Sequence, residues 1–166
     1  MEPLSFYSKL HPPPETPDDE ICRCGSEKPI KLMCALSYNP LHCIDCNREI
    51  VAESLALSEA VVEEVAYWHH IYDAIDRLWL DSADYESWAK EQLSDINSPV
   101  NGRGLAAREK LDRIRRCYYW YFQDQSVDEF EPYSECPRCN KPFGVYAGGI
   151  FPQFVCEDCS IITVGR

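Results

Sequence analysis

Residues 136–159 read CPRCNKPFGVYAGGIFPQFVCEDC, with two Cys-x-x-Cys pairs separated by sixteen residues. Two residues between cysteines let both thiolates of a tight turn point at one ion. Two such pairs complete a tetrahedral shell of four sulfurs, which suits Zn²⁺. Segments 143–146, 151–155 and 161–164 are expected to be strands. The sequence therefore predicts one structural Zn²⁺ held by Cys136, Cys139, Cys156 and Cys159.

This spacing, over about thirty residues (136–166), resembles the zinc-ribbon superfamily. The resemblance implies a small β fold but does not indicate a function. Two redox dithiols or two disulfides are the alternatives. A thioredoxin-type dithiol begins a helix in a βαβ unit, whereas the flanks here are strand-like, which favours zinc.

Residues 21–50 contain a second group of cysteines, which we expect to hold a second Zn²⁺. The predicted ligands are Cys22, Cys24, Cys43 and Cys46. Cys43 and Cys46 form a Cys-x-x-Cys pair, and the shorter Cys-x-Cys pair can chelate from a turn eased by Gly25. Cys34 lies in an apolar context and is expected to be buried. Cys34 or His42 in place of one ligand remains an alternative.

The N-terminal cysteines also carry a partial resemblance to a known zinc module. Cys22-Arg23-Cys24-Gly25-Ser26, with Lys31 and Cys34, resembles the SEC-C motif of bacterial translocation proteins. The chain departs from that motif at Ala35, which stands where the motif has its final Cys or His, and its spacing is one residue longer.

The motifs divide the chain into five segments. They are a Pro-containing N-terminal arm (1–20), an N-terminal zinc module (21–50), a helical region (51–123), an acidic connector (124–135) and a C-terminal zinc ribbon (136–166). The predicted fold class is a small α+β metal-binding protein, in which a central bundle of about three helices is flanked by two zinc-ribbon-like β modules.

Apolar periodicity places the helices. The first is expected to begin after the N-cap Ser58, and the second, capped by Ser82, is expected over 83–93. Residues 97–104 are expected to be a loop because they contain Pro and Gly, and a third helix is expected over 105–122. The predicted buried stripe of the first helix is Val61, Val65, Trp68, Tyr72, Ile75 and Trp79.

Composition limits the function classes. The net charge is −12, from 28 acidic and 16 basic residues. A nucleic-acid binder usually carries a basic surface, so this charge disfavours nucleic acid and favours a protein partner with a basic surface. Residues 1–20 lack the pattern of a signal peptide, and no apolar run is long enough for a membrane helix. We therefore expect a cytoplasmic chain whose thiols stay reduced.

One stretch departs from the acidic average. Residues 103–116 contain six basic and two acidic residues, a net charge of +4, and the aromatic run 118–122 follows. This pattern is compatible with a helix that binds phosphates and stacks on bases. The alternative, which we favour, is that the arginines pair within the protein and a zinc ribbon covers the aromatic side chains.

No known catalytic pattern is present. None of the four histidines begins a His-x-Glu or His-Glu-x-x-His motif, and the chain has no glycine-rich phosphate loop. His69 and Asp73 could share a metal on one helix, but the simpler interpretation is that His69 and His70 are polar-face residues beside Trp68. Cys117 follows two arginines, yet a lone helical thiol usually only packs. We expect no enzyme.

These observations predict a non-enzymatic protein-interaction module. In size and acidity the chain is similar to immunity proteins, which neutralise partners such as bacterial toxins. The predicted contacts are the acidic stretches 18–20, 81–91 and 124–135, with the aromatic run 118–122. The alternative is an accessory protein of transcription or translation that binds nucleic acid. The whole chain also resembles bacterial zinc-ribbon proteins of unassigned function.

Overall fold

The structure is a computed structural model that describes residues 5–10, 16–34 and 39–165. Of the predicted N-terminal arm, residues 6–9 form a short 3-10 helix, and Tyr7 donates a hydrogen bond to the carbonyl of Leu57. Prolines 12–14 and Ala35 lie outside the described residues. The arm is thus packed on the domain at Tyr7.

Six short strands of the described part of the chain form one mixed sheet. They are β1 (Ile30–Leu32), β2 (Leu41–Cys43), β3 (Cys117–Trp120), β4 (Gly144–Tyr146), β5 (Gln153–Cys156) and β6 (Ile161–Val164). Their order across the sheet is β2-β1-β3-β6-β5-β4. Strand β3 is parallel to β1 and to β6, and the other pairs are antiparallel. A hairpin from the N-terminal module and a meander from the C-terminal module therefore join through β3.

Strand β3 corrects the predicted third helix, which was expected to continue to residue 122. The helix ends at Asp112, and Cys117–Trp120 is a strand. Aromatic residues favour strands, and a strand buried on both faces has a continuous apolar sequence rather than an alternating one. Tyr119 packs in the main core with the helices, whereas Tyr118 packs in a smaller cluster on the opposite face. The two faces of the sheet thereby bury aromatic side chains that could not all be buried on one face of a helix.

Within the described ranges, three segments are α-helical: α1 (Glu59–Asp81), α2 (Glu86–Ser94) and α3 (Pro99–Asp112). The Ser58 cap of α1 is confirmed, because its Oγ accepts a hydrogen bond from the amide of Val61. The predicted loop over 97–104 is wrong, since α3 begins at Pro99 with Ser98 as its N-cap. Proline suits the first position of a helix, where its missing N–H would have no partner. Among the described residues, no helix is long and apolar enough to cross a membrane.

The second helix starts later than predicted. Ser82 ends α1, and its Oγ accepts a hydrogen bond from the amide of Tyr85, so it lies between the two helices rather than at the start of one at residue 83. Ala83 has a φ of 53° and interrupts the helical backbone there. Ile114, within the span predicted for the third helix, lies beyond α3 and is exposed.

The helices pack on one face of the sheet, so a central bundle between two separate ribbons is not confirmed. Trp68 of α1 packs edge-on against Tyr119 of β3, with ring centroids 5.8 Å apart. Asn101 of α3, fully buried, accepts a 2.7 Å hydrogen bond from the Tyr119 hydroxyl. Its amide donates to the carbonyls of Leu93 and Asp95 at the end of α2. One core therefore joins helices and sheet.

A glycine on α3 allows this close approach and generates a prediction. A methyl group on Gly104 would lie 2.6 Å from Trp68 Nε1 and closer still to the ring of Tyr119. Both rings are buried and cannot easily move. We expect Gly104→Ala to lower the free energy of unfolding by about 2 kcal/mol, measured by urea denaturation.

Gly102 on the same helix is the matched control. A methyl group there meets no atom within 4 Å. Gly102→Ala should therefore raise the free energy of unfolding by up to about 1 kcal/mol, because alanine favours the helix. Equal effects of the two substitutions would contradict the packing described.

Candidate metal centres

The N-terminal Cys-x-x-Cys pair lies on a tight turn after strand β2. Within residues 43–48, the amide of Asn47 donates to the carbonyl of Cys43 at 3.0 Å, and the amide of Cys43 donates to the carbonyl of Arg48 at 2.9 Å. Asn47 has a φ of 59°, in the left-handed region that asparagine tolerates better than most residues. This backbone points Cys43 and Cys46 toward the same side.

The first Cys-x-x-Cys pair of the C-terminal module has the same turn. Asn140 donates to the carbonyl of Cys136 at 2.9 Å, and Cys136 donates to the carbonyl of Lys141 at 2.9 Å. Asn140 has a φ of 58°. In both modules the Cys-x-x-Cys pair is thus followed by a left-handed asparagine and a basic residue. This shared signal is readable in the sequence as Asn-Arg after Cys46 and Asn-Lys after Cys139.

The remaining sulfurs of the N-terminal group come from a loop fixed against the residues that follow β2. The amide of Cys22 donates to the carbonyl of Glu49 at 2.7 Å. Cys22 Sγ lies 3.5 Å from Cys46 Sγ. The four sulfurs of Cys22, Cys24, Cys43 and Cys46 all lie within 4.8 Å of one another. The structure thus brings together the N-terminal residues that the sequence indicated.

The C-terminal group has the same arrangement. The second pair begins at Cys156, the last residue of β5, and Cys159 is followed by Ser160, whose φ is 51°. Cys139 Sγ lies 3.6 Å from Cys156 Sγ. The sulfurs of Cys136, Cys139, Cys156 and Cys159 again lie within 4.8 Å of one another.

These distances suit coordination rather than disulfides. Four sulfurs at about 2.3 Å from a central ion are about 3.8 Å apart in a tetrahedron, whereas a disulfide needs about 2.05 Å. All ten cysteines are free thiols. Each group could therefore hold one metal ion, with all four ligands supplied by the protein and no open coordination position for a substrate.

Metal binding at these groups requires the loss of protons from thiols. Burial raises the pKa of Cys22 and of Cys159, and it raises the pKa of Cys156 to about 11. Burial acts in the same direction on Cys46, but the amide of Arg48 and neighbouring thiols outweigh it and lower the Cys46 pKa. Without a cation, thiols with a raised pKa keep their protons, so metal binding must displace them.

The alternative ligands lie elsewhere. Cys34 is partly buried against the main core and belongs to neither group. His42 is buried, with Nδ1 3.0 Å from the carbonyl oxygen of Asn47 and Nε2 2.9 Å from that of Asn39. Both ring nitrogens therefore face backbone acceptors rather than the sulfurs. Cys117 is fully buried in β3.

Most of the basic stretch 103–116 contacts other parts of the protein. Arg108 is buried, and its guanidinium lies 3.7 Å from Asp112 within the same stretch. Lys110 forms an ion pair with Glu64 of α1. The Arg103 guanidinium lies 5.2 Å from the centre of the Tyr67 ring. These contacts favour internal pairing over a phosphate-binding face.

The last two arginines of the stretch contact the two cysteine modules. Arg115 donates from Nε to the carbonyl of Lys28 at 2.6 Å, in the N-terminal module. Arg116 forms a 2.9 Å ion pair with Glu157, which lies between the C-terminal ligands Cys156 and Cys159. These contacts are those expected if the arginines serve to dock the modules.

The other residues considered for chemistry do not assemble into a site. Asp73 pairs with Arg77 at 2.8 Å, one turn further along α1. His69 is partly buried on the same helix. Among the described residues, the two cysteine groups are the ones in which three or more potential ligands come together, and His69 joins neither.

The geometry defines a mixed α+β protein with one six-stranded sheet and two four-cysteine groups. The family model described as "Domain of unknown function (DUF2310)" matches residues 33–123, more than half of the chain, so the chain belongs to that family. The match contains strand β3 but not the C-terminal four-cysteine group. No zinc-ribbon family is identified. None of the curated proteins or solved structures compared matches the chain.

Single substitutions should remove the two metal ions separately. Cys24→Ser replaces an exposed ligand at little cost to the core, and we expect bound metal to fall from two ions to one per chain. Cys139→Ser should likewise leave one ion. The measurement is metal content by mass spectrometry after anaerobic purification without chelator.

Cys34→Ser is the control, since Cys34 belongs to neither group. It should retain two ions. Loss of an ion from Cys34→Ser, or retention of both by Cys24→Ser, would contradict the ligand set.

Proposed function

We propose that this chain is a non-enzymatic protein-interaction module that uses two Zn²⁺ ions for stability and an acidic surface for binding. Zinc is the proposed metal because four thiolates with tetrahedral spacing form its usual structural site. The closed shells favour a structural role. The strands have three or four residues, and the turns that carry the ligands extend beyond them, so metal binding would supply folding free energy to these turns.

The internal pairing of the basic stretch is the observation that carries this proposal. Four of the six basic residues in 103–116 contact other parts of the chain, and Arg108 pairs with Asp112 inside the stretch. The positive charge that could attract nucleic acid is therefore largely engaged within the protein. The remainder of the chain carries the acidic charge. A nucleic-acid role as an accessory factor in transcription or translation is the alternative, and these contacts disfavour it.

Helix α2 and its flanks offer a binding surface. Residues 81–95 contain five exposed acidic residues and a single lysine, Lys90, which pairs with Asp124 at 2.7 Å. Trp88 and Tyr85 are exposed beside these carboxylates. Exposed aromatic side chains frequently anchor protein interfaces, and surrounding charges speed association with a partner of opposite charge.

An inhibitor that covers a basic partner, of the immunity-protein type, fits this chemistry. The partner would be a protein such as a bacterial toxin whose functional surface is positive. This finer assignment rests on the small size and acidity of the chain.

The test is affinity capture of a partner from lysate of the source cells with immobilised metal-loaded protein. We expect a stoichiometric protein partner whose retention weakens as salt rises. Trp88→Ala should weaken that retention at least about tenfold, since truncation of a central interface tryptophan commonly costs about 2 kcal/mol.

Ile114→Ala is the matched control, because Ile114 and Trp88 are both 47% exposed and Ile114 lies outside the acidic surface. It should retain the partner. Fluorescence anisotropy with DNA and RNA oligonucleotides at about 50 mM salt completes the test. Salt-dependent nucleic-acid binding without a stoichiometric protein partner would contradict the proposal and support the alternative.

A further inference from the structure

Lys31 of β1 is a buried lysine that pairs in the sheet with His42, the residue before the N-terminal ligand candidate Cys43. Its relative exposure is 0%, and among the described residues no carboxylate forms an ion pair with it. Its Nζ donates a 3.0 Å hydrogen bond to Gln153 Oε1. Nζ also lies 4.7 Å from the centre of the Trp120 ring and 4.8 Å from that of the Phe151 ring.

This environment only partly compensates the free-energy cost of burying an ammonium group. One amide acceptor and two aromatic faces favour a cation, but a buried charge normally requires an anionic partner. Burial lowers the pKa of Lys31 to about 7, while the sulfurs of Cys43 and Cys46 act to raise it. Cys43 and Cys46 of the N-terminal group are therefore side chains that favour the ammonium.

The charge of a loaded centre fits this position. Four thiolates around a divalent ion leave two negative charges on the centre. Gln153 also donates from Nε2 to the carbonyl of Ile44 at 3.0 Å, within the turn that carries Cys43 and Cys46. The same amide thus holds the Lys31 ammonium and the ligand turn.

The C-terminal centre differs in this respect. Its neighbouring lysine, Lys141, is exposed and pairs with Asp158. Lys28, near the N-terminal centre, is also exposed and pairs with Asp45 at 3.0 Å. Water and these carboxylates screen both exposed lysines, whereas Lys31 is shielded from water and faces an amide and two rings.

We propose that Lys31 is the internal counter-cation of the N-terminal four-cysteine metal centre and raises the affinity of that centre for a divalent ion. This inference rests on the proposed metal binding. The residues that enclose the ammonium, Trp120, Phe151 and Gln153, come from β3 and from the C-terminal module. Packing of the C-terminal module therefore supports metal binding at the N-terminal centre.

The test is competition of Zn²⁺ from the loaded full-length protein with graded concentrations of a colorimetric chelator. The variants Cys24→Ser and Cys139→Ser assign the two ions to their centres. In Lys31→Met, we expect the N-terminal centre to bind Zn²⁺ at least about tenfold more weakly and the C-terminal centre to change by less than about twofold.

A second variant separates charge from packing. Lys31→Gln is also neutral but keeps a polar group that can bond to Gln153, so a charge effect should lower the N-terminal affinity as much as Lys31→Met does. If Lys31→Met does not fold, the affinity of Lys31→Gln is compared with that of the unsubstituted protein instead. Lys141→Met, which removes the exposed lysine of the other centre, should change both affinities by less than about threefold.

The outcomes distinguish this inference from the proposed function. Absence of zinc from the N-terminal centre of the unsubstituted protein would overturn the proposed metal binding itself. Two bound ions with unchanged affinities in both Lys31 variants would overturn the role of Lys31 alone. Equal weakening of both centres would also overturn it, because that result indicates general destabilisation.

Discussion

The pairing of β3 on both of its edges is the constraint on which the rest of the structure depends. On one side the amide of Ile30 donates to the carbonyl of Arg116 at 2.9 Å, and on the other the amide of Tyr119 donates to the carbonyl of Ser160 at 2.8 Å. These bonds join segments that are far apart in sequence. Because β3 closely follows α3, the helices and both cysteine modules share one core, and Arg115 and Arg116 reach both modules from the same turn.

The two four-cysteine groups offer structural support to loops that this short-stranded sheet does not stabilise alone. Strands of three or four residues have few hydrogen bonds, and the cysteine ligands lie at their ends or in the loops beyond them. A metal ion shared by four sulfurs fixes such loops without a core of their own. The repeated turn, with Asn47 and Asn140 in the left-handed region, shows that both modules have the same local backbone conformation.

Local signals in the sequence predicted part of this arrangement. The cysteine spacing identified the two groups, and Ser58 with its apolar stripe located α1. The Ser98-Pro99 start of α3 was readable, but Gly102 and Gly104 favoured a loop because the packing that permits a helix there is tertiary. Strand β3 could not be predicted by periodicity, since its parallel partners lie far away in sequence and a helix and a doubly buried strand give similar apolar runs.

Hydrogen exchange of the backbone amides tests the central claim, that both modules and the helices form a single cooperative unit joined by β3. In the metal-loaded protein, the amides of β1, β3 and β6 should exchange with one common opening free energy. Removal of either metal ion should lower the protection of all three strands. Opening of β4, β5 and β6 at a lower free energy than β1, with β3 unaffected by metal loss, would contradict it.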